Sequence, residues 1–172
     1  MLEIEIKSKI ESPETIERRV TEMGGTFKKV VVEEDLYFNH PSRDFAKTDE
    51  AVRLRKTEGR FYLTYKGPKL DRLTKTREEI SVEVKEWDST AAFLKKLGFQ
   101  EVQAIKKRRR YLKLNEYDIM LDDVKGLGSF IEVEKHGKYN PQELIGFLAS
   151  LGIKGSETKS YLELMLEKDE KR

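Results

Sequence analysis

Two pairs of glutamates recur at a spacing of two residues, and a lysine follows each pair. The pairs are Glu3 and Glu5 before Lys7, and Glu132 and Glu134 before Lys135. Because alternate side chains of a β-strand point to the same face, each pair would place two carboxylates on one surface. Carboxylate oxygens are the ligands that Mg²⁺ and Mn²⁺ prefer. The spacing therefore predicts a site for one of these cations.

Basic side chains alternate in the same way, as in Arg53 and Arg55. Arginine and lysine pairs on neighbouring strands suit a polyphosphate, because a guanidinium contacts phosphate oxygens in a bidentate manner. Charged groups dominate the polar faces of the predicted strands: Glu3, Glu5, Lys7, Arg53, Arg55, Lys66, Arg77, Glu79, Asp122, Glu132 and Glu134. Acids and bases gathered in one cavity would be neutralised by a triphosphate with divalent cations.

Apolar and polar residues alternate over about eight segments, which predicts strands at 2–7, 29–38, 51–55, 61–66, 77–84, 105–114, 117–124 and 130–135. Helices are predicted after Ser12-Pro13, over 88–97, over 140–152 and from Ser160 onwards. Packing the helices on the apolar strand faces leaves the charged faces pointing the other way. Those faces would meet water in an open sheet or line the interior of a closed barrel.

The composition narrows the function classes. The chain has 172 residues, which suits one domain, and no cysteine, which excludes disulfides, thiol catalysis and thiolate zinc sites. Lys and Arg number 34 against 32 Asp and Glu, and this near balance argues against a strong nucleic-acid binder. No apolar run reaches membrane-spanning length and no secretory signal is recognisable, so we expect a cytoplasmic protein without a membrane partner.

Residues Glu3-Ile4-Glu5-Ile6-Lys7 resemble the ExExK signature of the CYTH superfamily, the triphosphate tunnel metalloenzymes. Further similar segments follow in the family's order, at 35–38, 51–55, 64–68, 77–79, 107–109, 121–122, 126–134 and 160–164. Within the superfamily, the segments at 37–41, 43–45, 48–51 and 121–128 are most similar to the class IV adenylyl cyclase branch. The resemblance covers nearly the whole chain.

This resemblance implies an α+β fold, a closed eight-stranded antiparallel β-barrel with helices packed outside, in a single domain over 1–172 that is often a homodimer. By position, the implied metal ligands are Glu3, Glu5, Glu79, Asp122, Glu132 and Glu134, for Mg²⁺ or Mn²⁺. The implied triphosphate-binding residues are Lys7, Arg53, Arg55, Lys66, Lys107 and Arg109. Glu5, Lys7 and Asp122 would be catalytic.

The basic run at 106–110 has two possible registers, and a shift of one residue would turn over every side chain. Lys107 and Arg109 are assigned to the interior because their spacing to Asp122 fits the family. Lys159 is a further candidate for the mouth of the cavity.

Two reactions fit these residues equally well. A class IV adenylyl cyclase would convert ATP to cyclic AMP and pyrophosphate, whereas a triphosphatase would hydrolyse inorganic, thiamine or nucleoside triphosphate. A non-catalytic binder of polyphosphate or RNA 5′-triphosphate is a third hypothesis. The same acids and bases serve both reactions, so the pocket for the organic part of the substrate decides between them, and the sequence does not locate that pocket.

Overall fold

An antiparallel sheet and five helices make up the described residues, 2–3, 5–70, 76–135 and 140–171, in a computed structural model. The strands are β1 (Leu2–Glu3), β2 (Glu5–Ile10), β3 (Thr26–Asn39), β4 (Ala51–Thr57), β5 (Arg60–Lys66), β6 (Arg77–Val84), β7 (Gln100–Leu114), β8 (Tyr117–Val124) and β9 (Gly128–Lys135). The helices are α1 (Pro13–Glu22), α2 (Phe45–Thr48), α3 (Trp87–Lys96), α4 (Pro141–Ser150) and α5 (Tyr161–Glu170). The predicted α+β fold with an antiparallel sheet is confirmed.

The strand order is β1-β6-β5-β4-β3-β7-β8-β9-β2. This order has two ends, β1 and β2. The described residues therefore contain no strand pair that closes the sheet into the predicted barrel. Those residues form nine strands rather than eight, because the N-terminal strand is described as two pieces on either side of position 4, which lies outside the described residues. The two pieces nevertheless stand at opposite ends of the order, β1 on β6 and β2 on β9.

The long pair β3 and β7 joins the two halves of the sheet. Its register runs from Thr26 opposite Lys113 to Asn39 opposite Gln100, with an irregularity between Tyr37 and Phe38. Both strands extend beyond the predicted 29–38 and 105–114. Residues 100–104 show little apolar alternation, and their strand conformation follows from pairing with β3 rather than from their own pattern.

Three helices begin at the capping residues or prolines that the sequence indicated. Ser12 caps α1 and Asn140 caps α4, each accepting a hydrogen bond from a backbone N–H of the first turn, with proline next in sequence. Ser160 and Glu163 form a capping box at α5. The four-residue helix α2 was not predicted; Asp44 caps it by accepting from the Ala46 N–H at 3.2 Å.

The apolar strand faces form the outer core. Side chains of α1 and α4, such as Val20 and Leu148, pack with Ile6, Leu121 and Val133 of the sheet. A second cluster places α3 on β4, where Ala91 and Leu94 meet Leu54. The prediction that helices cover the apolar faces holds for these three helices. None of the described helices is long and apolar enough to cross a membrane.

Helix α5 packs differently, because its first residue contacts the opposite, charged face of the sheet. Tyr161 is buried in a cluster with Tyr37, Ile105, Val124 and Phe130. By strand parity Ile105, Val124 and Phe130 share their face with the predicted site residues of the same strands, and Tyr37 lines the same cavity as those residues. One part of the inner face is therefore apolar and is covered by α5, which the prediction of helices outside the sheet did not include.

Candidate active site

A cavity of about 170 Å³ lies on the charged face of the sheet. Most of the predicted site residues line it: Glu5, Arg53, Arg55, Lys66, Glu79, Lys107, Arg109, Glu132 and Glu134. Lys7 and Asp122 are fully buried and contact lining residues. The side chain of Glu3 lies outside the described residues, and its backbone pairs with Arg77.

Three of the predicted metal ligands converge where β2 meets β9. Glu5 lies directly opposite Glu134, and Lys7 directly opposite Glu132, so these four side chains share one face. Glu132 is buried and accepts a hydrogen bond from the Arg109 guanidinium.

The donor set fits Mg²⁺ or Mn²⁺ by its chemistry, because Glu5, Glu132 and Glu134 offer only carboxylate oxygens. Among the described residues, no three carboxylates or imidazoles already surround one point as a ready-made metal cluster. The two remaining candidates are engaged elsewhere. Glu79 accepts a hydrogen bond from Lys66, and both oxygens of Asp122 accept hydrogen bonds from neighbouring side chains.

Arg55 is bound by two buried acids that the sequence analysis did not assign. Asp35 accepts from its Nε and one Nη at 2.7 Å each, and an oxygen of Glu33 lies 2.9 Å from the other Nη. Burial raises the pKa of the Glu33 carboxyl, but the charges of Lys107 and Arg55 outweigh it and lower the pKa to about 2. Burial also raises the pKa of the Asp35 carboxyl, but the charges of Arg55 and Arg53 outweigh this effect and lower the pKa below its usual value.

Arg109 is the centre of a second buried network. It donates to both oxygens of Asp122, at 2.7 and 2.6 Å, and to Glu132. Burial lowers the pKa of Arg109, but Asp122 and Glu132 reverse the effect, so the guanidinium stays charged. The Lys107 ammonium lies 3.2 Å from Glu33 and 3.8 Å from Asp122, and thereby links the two networks.

Burial, followed by the charges of Arg109 and Arg55, lowers the pKa of Lys107 despite its two acid neighbours.

One donor of the cavity has no acceptor among the described residues: the Nε of Arg53 is buried without a hydrogen-bond partner. A buried polar group in this state is destabilising unless a ligand or water satisfies it. An anion in the cavity would supply the missing acceptor.

The register of the basic run follows the assignment made from sequence. Lys107 and Arg109 are buried and line the cavity, while Lys106 and Arg108 are exposed on the other side of β7. Arg110, also on the outer side, binds Glu14 and Glu17 of α1. The expectation for Lys159 was wrong: its side chain pairs with Glu167 on the surface, and only its carbonyl turns inward, to accept from Lys7.

Sequence reasoning missed Glu33, Asp35 and Tyr161 as parts of the site. A signal existed for the first two, since Glu33 and Asp35 repeat the two-residue spacing of the other acid pairs within a predicted strand. Tyr161 gave no such signal, because it opens a helix and reaches the sheet only through the tertiary fold.

Comparison with known proteins identifies the family. The CYTH domain model matches residues 1–161. The chain belongs to the CYTH domain family. A relative from Methanocaldococcus jannaschii, named "Putative adenylate cyclase MJ0240", is 42% identical over 95% of this chain and 98% of its own length.

Solved structures of similar proteins agree with this membership. The PH1819 protein from Pyrococcus horikoshii OT3 superposes with a TM-score of 0.88, at 41% identity, over 96% of this CYTH chain and 99% of its own. The "putative adenylyl cyclase HpAC1" from Hippeastrum, whose structure is said to reveal a dominant triphosphatase activity, gives a TM-score of 0.66 at 20% identity over 98% of this chain and 96% of its own. This second likeness shows the fold alone.

Proposed function

We propose that this CYTH protein is a metal-dependent enzyme that converts ATP to cyclic AMP and pyrophosphate. The observation that carries the proposal is a cavity whose lining includes both charged and apolar side chains. The adenylate cyclase name of the 42% identical relative points to the same reaction.

The charged part suits a triphosphate. Arg53, Arg55, Lys66, Lys107 and Arg109 all line the cavity. Guanidinium groups bind phosphate oxygens in a bidentate manner, so a phosphate chain could be held by several of these side chains at once. The Nε–H of Arg53, which has no hydrogen-bond partner in the described part of the chain, could donate to such an oxygen.

The apolar part suits the organic portion of the substrate. Phe45 and Ala46 of α2, Val102 of β7, and Leu162 and Leu166 of α5 line it. Inorganic triphosphate has no group that would cover these side chains, whereas a nucleoside would bury them and gain hydrophobic free energy. This lining favours a nucleoside triphosphate over inorganic triphosphate.

In the proposed reaction, the 3′-oxygen of the ribose attacks the α-phosphorus, the bond between that phosphorus and pyrophosphate breaks, and the hydroxyl proton is lost. Glu5, Glu132 and Glu134 would hold Mg²⁺ or Mn²⁺, which lowers the pKa of the attacking hydroxyl and neutralises phosphate charge. Lys107 and Arg109 would stabilise the charge that grows on the departing pyrophosphate. Lys7 and Asp122, which are buried beside Lys107 and Arg109, would also take part in catalysis.

The proposal includes a closed barrel within one domain. Since β1 pairs with β6 and β2 with β9, residues 2–10 would bridge the two ends of the sheet and complete an eight-stranded tunnel. The family match over residues 1–161 supports a single domain for this arrangement.

A triphosphatase is the second candidate, because the charged wall alone would serve hydrolysis as well as cyclisation. A product assay tests both. The protein is given ATP, or inorganic triphosphate, with Mg²⁺ or Mn²⁺. Cyclic AMP and pyrophosphate from ATP are expected. Orthophosphate without cyclic AMP would replace the cyclase by a triphosphatase, and no turnover of either compound would contradict an enzyme for these two substrates.

A further inference from the structure

Tyr161 is the one residue of α5 that lies among the buried charges of the site. Its hydroxyl donates to the Oδ2 of Asp122 at 2.8 Å. Its ring lies 4.3 Å from the Lys7 ammonium and 5.1 Å from that of Lys107, measured to the ring centroid. It also packs edge-on against Phe130. A single side chain thus contacts three groups that were predicted from sequence to bind metal or phosphate.

We propose that Tyr161 is a positioning residue of the triphosphate site. The face of its ring holds the ammonium groups of Lys7 and Lys107 beside the cavity. Its hydroxyl holds the Asp122 carboxylate in the orientation in which that carboxylate binds Arg109. This proposal rests on the proposed triphosphate-binding function and deepens it by making the start of α5 part of the site.

The ring contacts are strong because they are buried. Lys7 is fully buried and Lys107 nearly so, and a cation held over an aromatic face is worth most where water is excluded. The backbone of the same segment adds to the effect, since the Lys159 carbonyl accepts a hydrogen bond from Lys7.

The hydroxyl contact has a fixed direction. Burial, then the charges of Glu132 and Asp122, raise the pKa of Tyr161 well above its usual value, so the phenol keeps its proton and acts as a donor. Asp122 in turn binds Arg109 through both oxygens. Tyr161 and Arg109 together occupy the carboxylate and limit its rotation.

The test measures the dissociation constant of inorganic triphosphate by calorimetry in the absence of metal. Tyr161→Leu removes the ring face and the hydroxyl, and we expect the constant to rise about tenfold, the scale of a desolvated cation–π contact. Tyr161→Phe keeps the ring and loses only the hydroxyl, so about a threefold rise is expected. Equal affinity of Tyr161→Leu and the wild type would overturn the proposal.

A matched control separates this effect from loosening of the helix. Leu164 lies on α5 and packs against the same apolar cluster, but it does not line the cavity. Leu164→Ala should leave triphosphate affinity unchanged. A loss as large as that of Tyr161→Leu would show that packing of α5, not the tyrosine, sets the affinity.

A fluorinated series keeps the test decisive if Tyr161→Leu does not fold. Pentafluorophenylalanine at position 161 has nearly the shape of phenylalanine but a reversed charge distribution on the ring face. It should bind triphosphate more weakly than Tyr161→Phe. Equal affinity of these two variants would refute the positioning role of the ring.

The wild-type measurement separates failure of the proposed function from failure of the positioning role of Tyr161. If the wild type binds neither inorganic triphosphate nor ATP, with or without Mg²⁺, the proposed function itself fails and the role of Tyr161 fails with it. If the wild type binds and the Tyr161 variants bind equally well, only the positioning role is refuted.

Discussion

At the residue scale, Arg55 shows how the inner face holds charge without a ligand. Its guanidinium is shared between Asp35 and Glu33, and all three side chains are largely buried. A buried ion pair contributes little net stability, because desolvation offsets the attraction between the charges. Removing one partner is nevertheless strongly destabilising, because the other charge is left uncompensated. Arg55, which we propose to bind phosphate, is therefore also needed for the stability of the fold.

Arg55→Met should lower the free energy of unfolding by about 3–5 kcal/mol, the scale for breaking a buried pair. It should also weaken triphosphate binding, because a cavity-lining cation is lost. Urea denaturation measures the first effect and calorimetry the second. Arg60→Met is the matched control, since Arg60 forms a bidentate pair with Glu83 on the exposed surface. It should leave both quantities nearly unchanged, and an equal loss in the two variants would contradict the buried-pair argument.

Glu33 predicts a dependence of stability on pH. Its pKa falls from 4.5 to about 2 on folding, so the stabilisation is fully present above the unfolded value and is lost as the pH falls through the folded one. This lowering of the pKa stabilises the folded state by about 3 kcal/mol at neutral pH. Unfolding free energies of the wild type and Glu33→Gln should differ most at neutral pH and converge between pH 4.5 and 2. A constant difference over that range would mean that folding does not lower the pKa of Glu33.

At the element scale, local signals located most of the strands and helices. Alternation reveals which face of a strand is charged, and Ser12, Asn140 and Ser160 mark helix starts because capping is a contact within one turn. The signals fail where a structure depends on distant partners. The ends of β3 and β7 extend through mutual pairing, and the contact of Tyr161 with the inner face requires α5 to be docked.

The two serine caps give a prediction at this scale. Ser160→Ala and Ser12→Ala should each lower the free energy of unfolding by about 1 kcal/mol, the usual effect of losing an N-cap. Only Ser160→Ala should also raise the dissociation constant of triphosphate, because α5 begins at the cavity whereas α1 packs on the outer core. Thermal unfolding and calorimetry report the two effects. Equal effects of the two substitutions on triphosphate binding would show that the start of α5 is not part of the site.

At the scale of the whole molecule, the site draws on both halves of the sheet. Arg53 and Arg55 come from β4, Lys107 and Arg109 from β7, and the facing glutamates from β2 and β9. No single hairpin contains the set. The sequence could indicate the members because their spacing is local. It could not show that Arg109 already binds Glu132 and Asp122, since strand order and side-chain direction decide which charges meet.

These internal pairs predict that metal and triphosphate bind cooperatively. A phosphate that binds Arg109 in place of Glu132 would leave the Glu132 carboxylate available to a cation. Each ligand should therefore raise the affinity for the other by the same factor. Calorimetric titration of triphosphate with and without Mg²⁺ measures the coupling. Glu134→Gln should reduce it, whereas Glu11→Gln, an exposed site just after β2, should not. Identical affinities with and without Mg²⁺ in the wild type would contradict the exchange.

The position of β2 has a consequence for how the protein is made. Glu5 pairs with Glu134, so β2 leaves the ribosome well before its partner strand is synthesised. Contacts this distant in sequence form late in folding, since loop closure opposes them. Alternating charges on the waiting strand disfavour pairing with other chains. We therefore expect the carboxylates that we propose as metal ligands also to protect the nascent protein from aggregation.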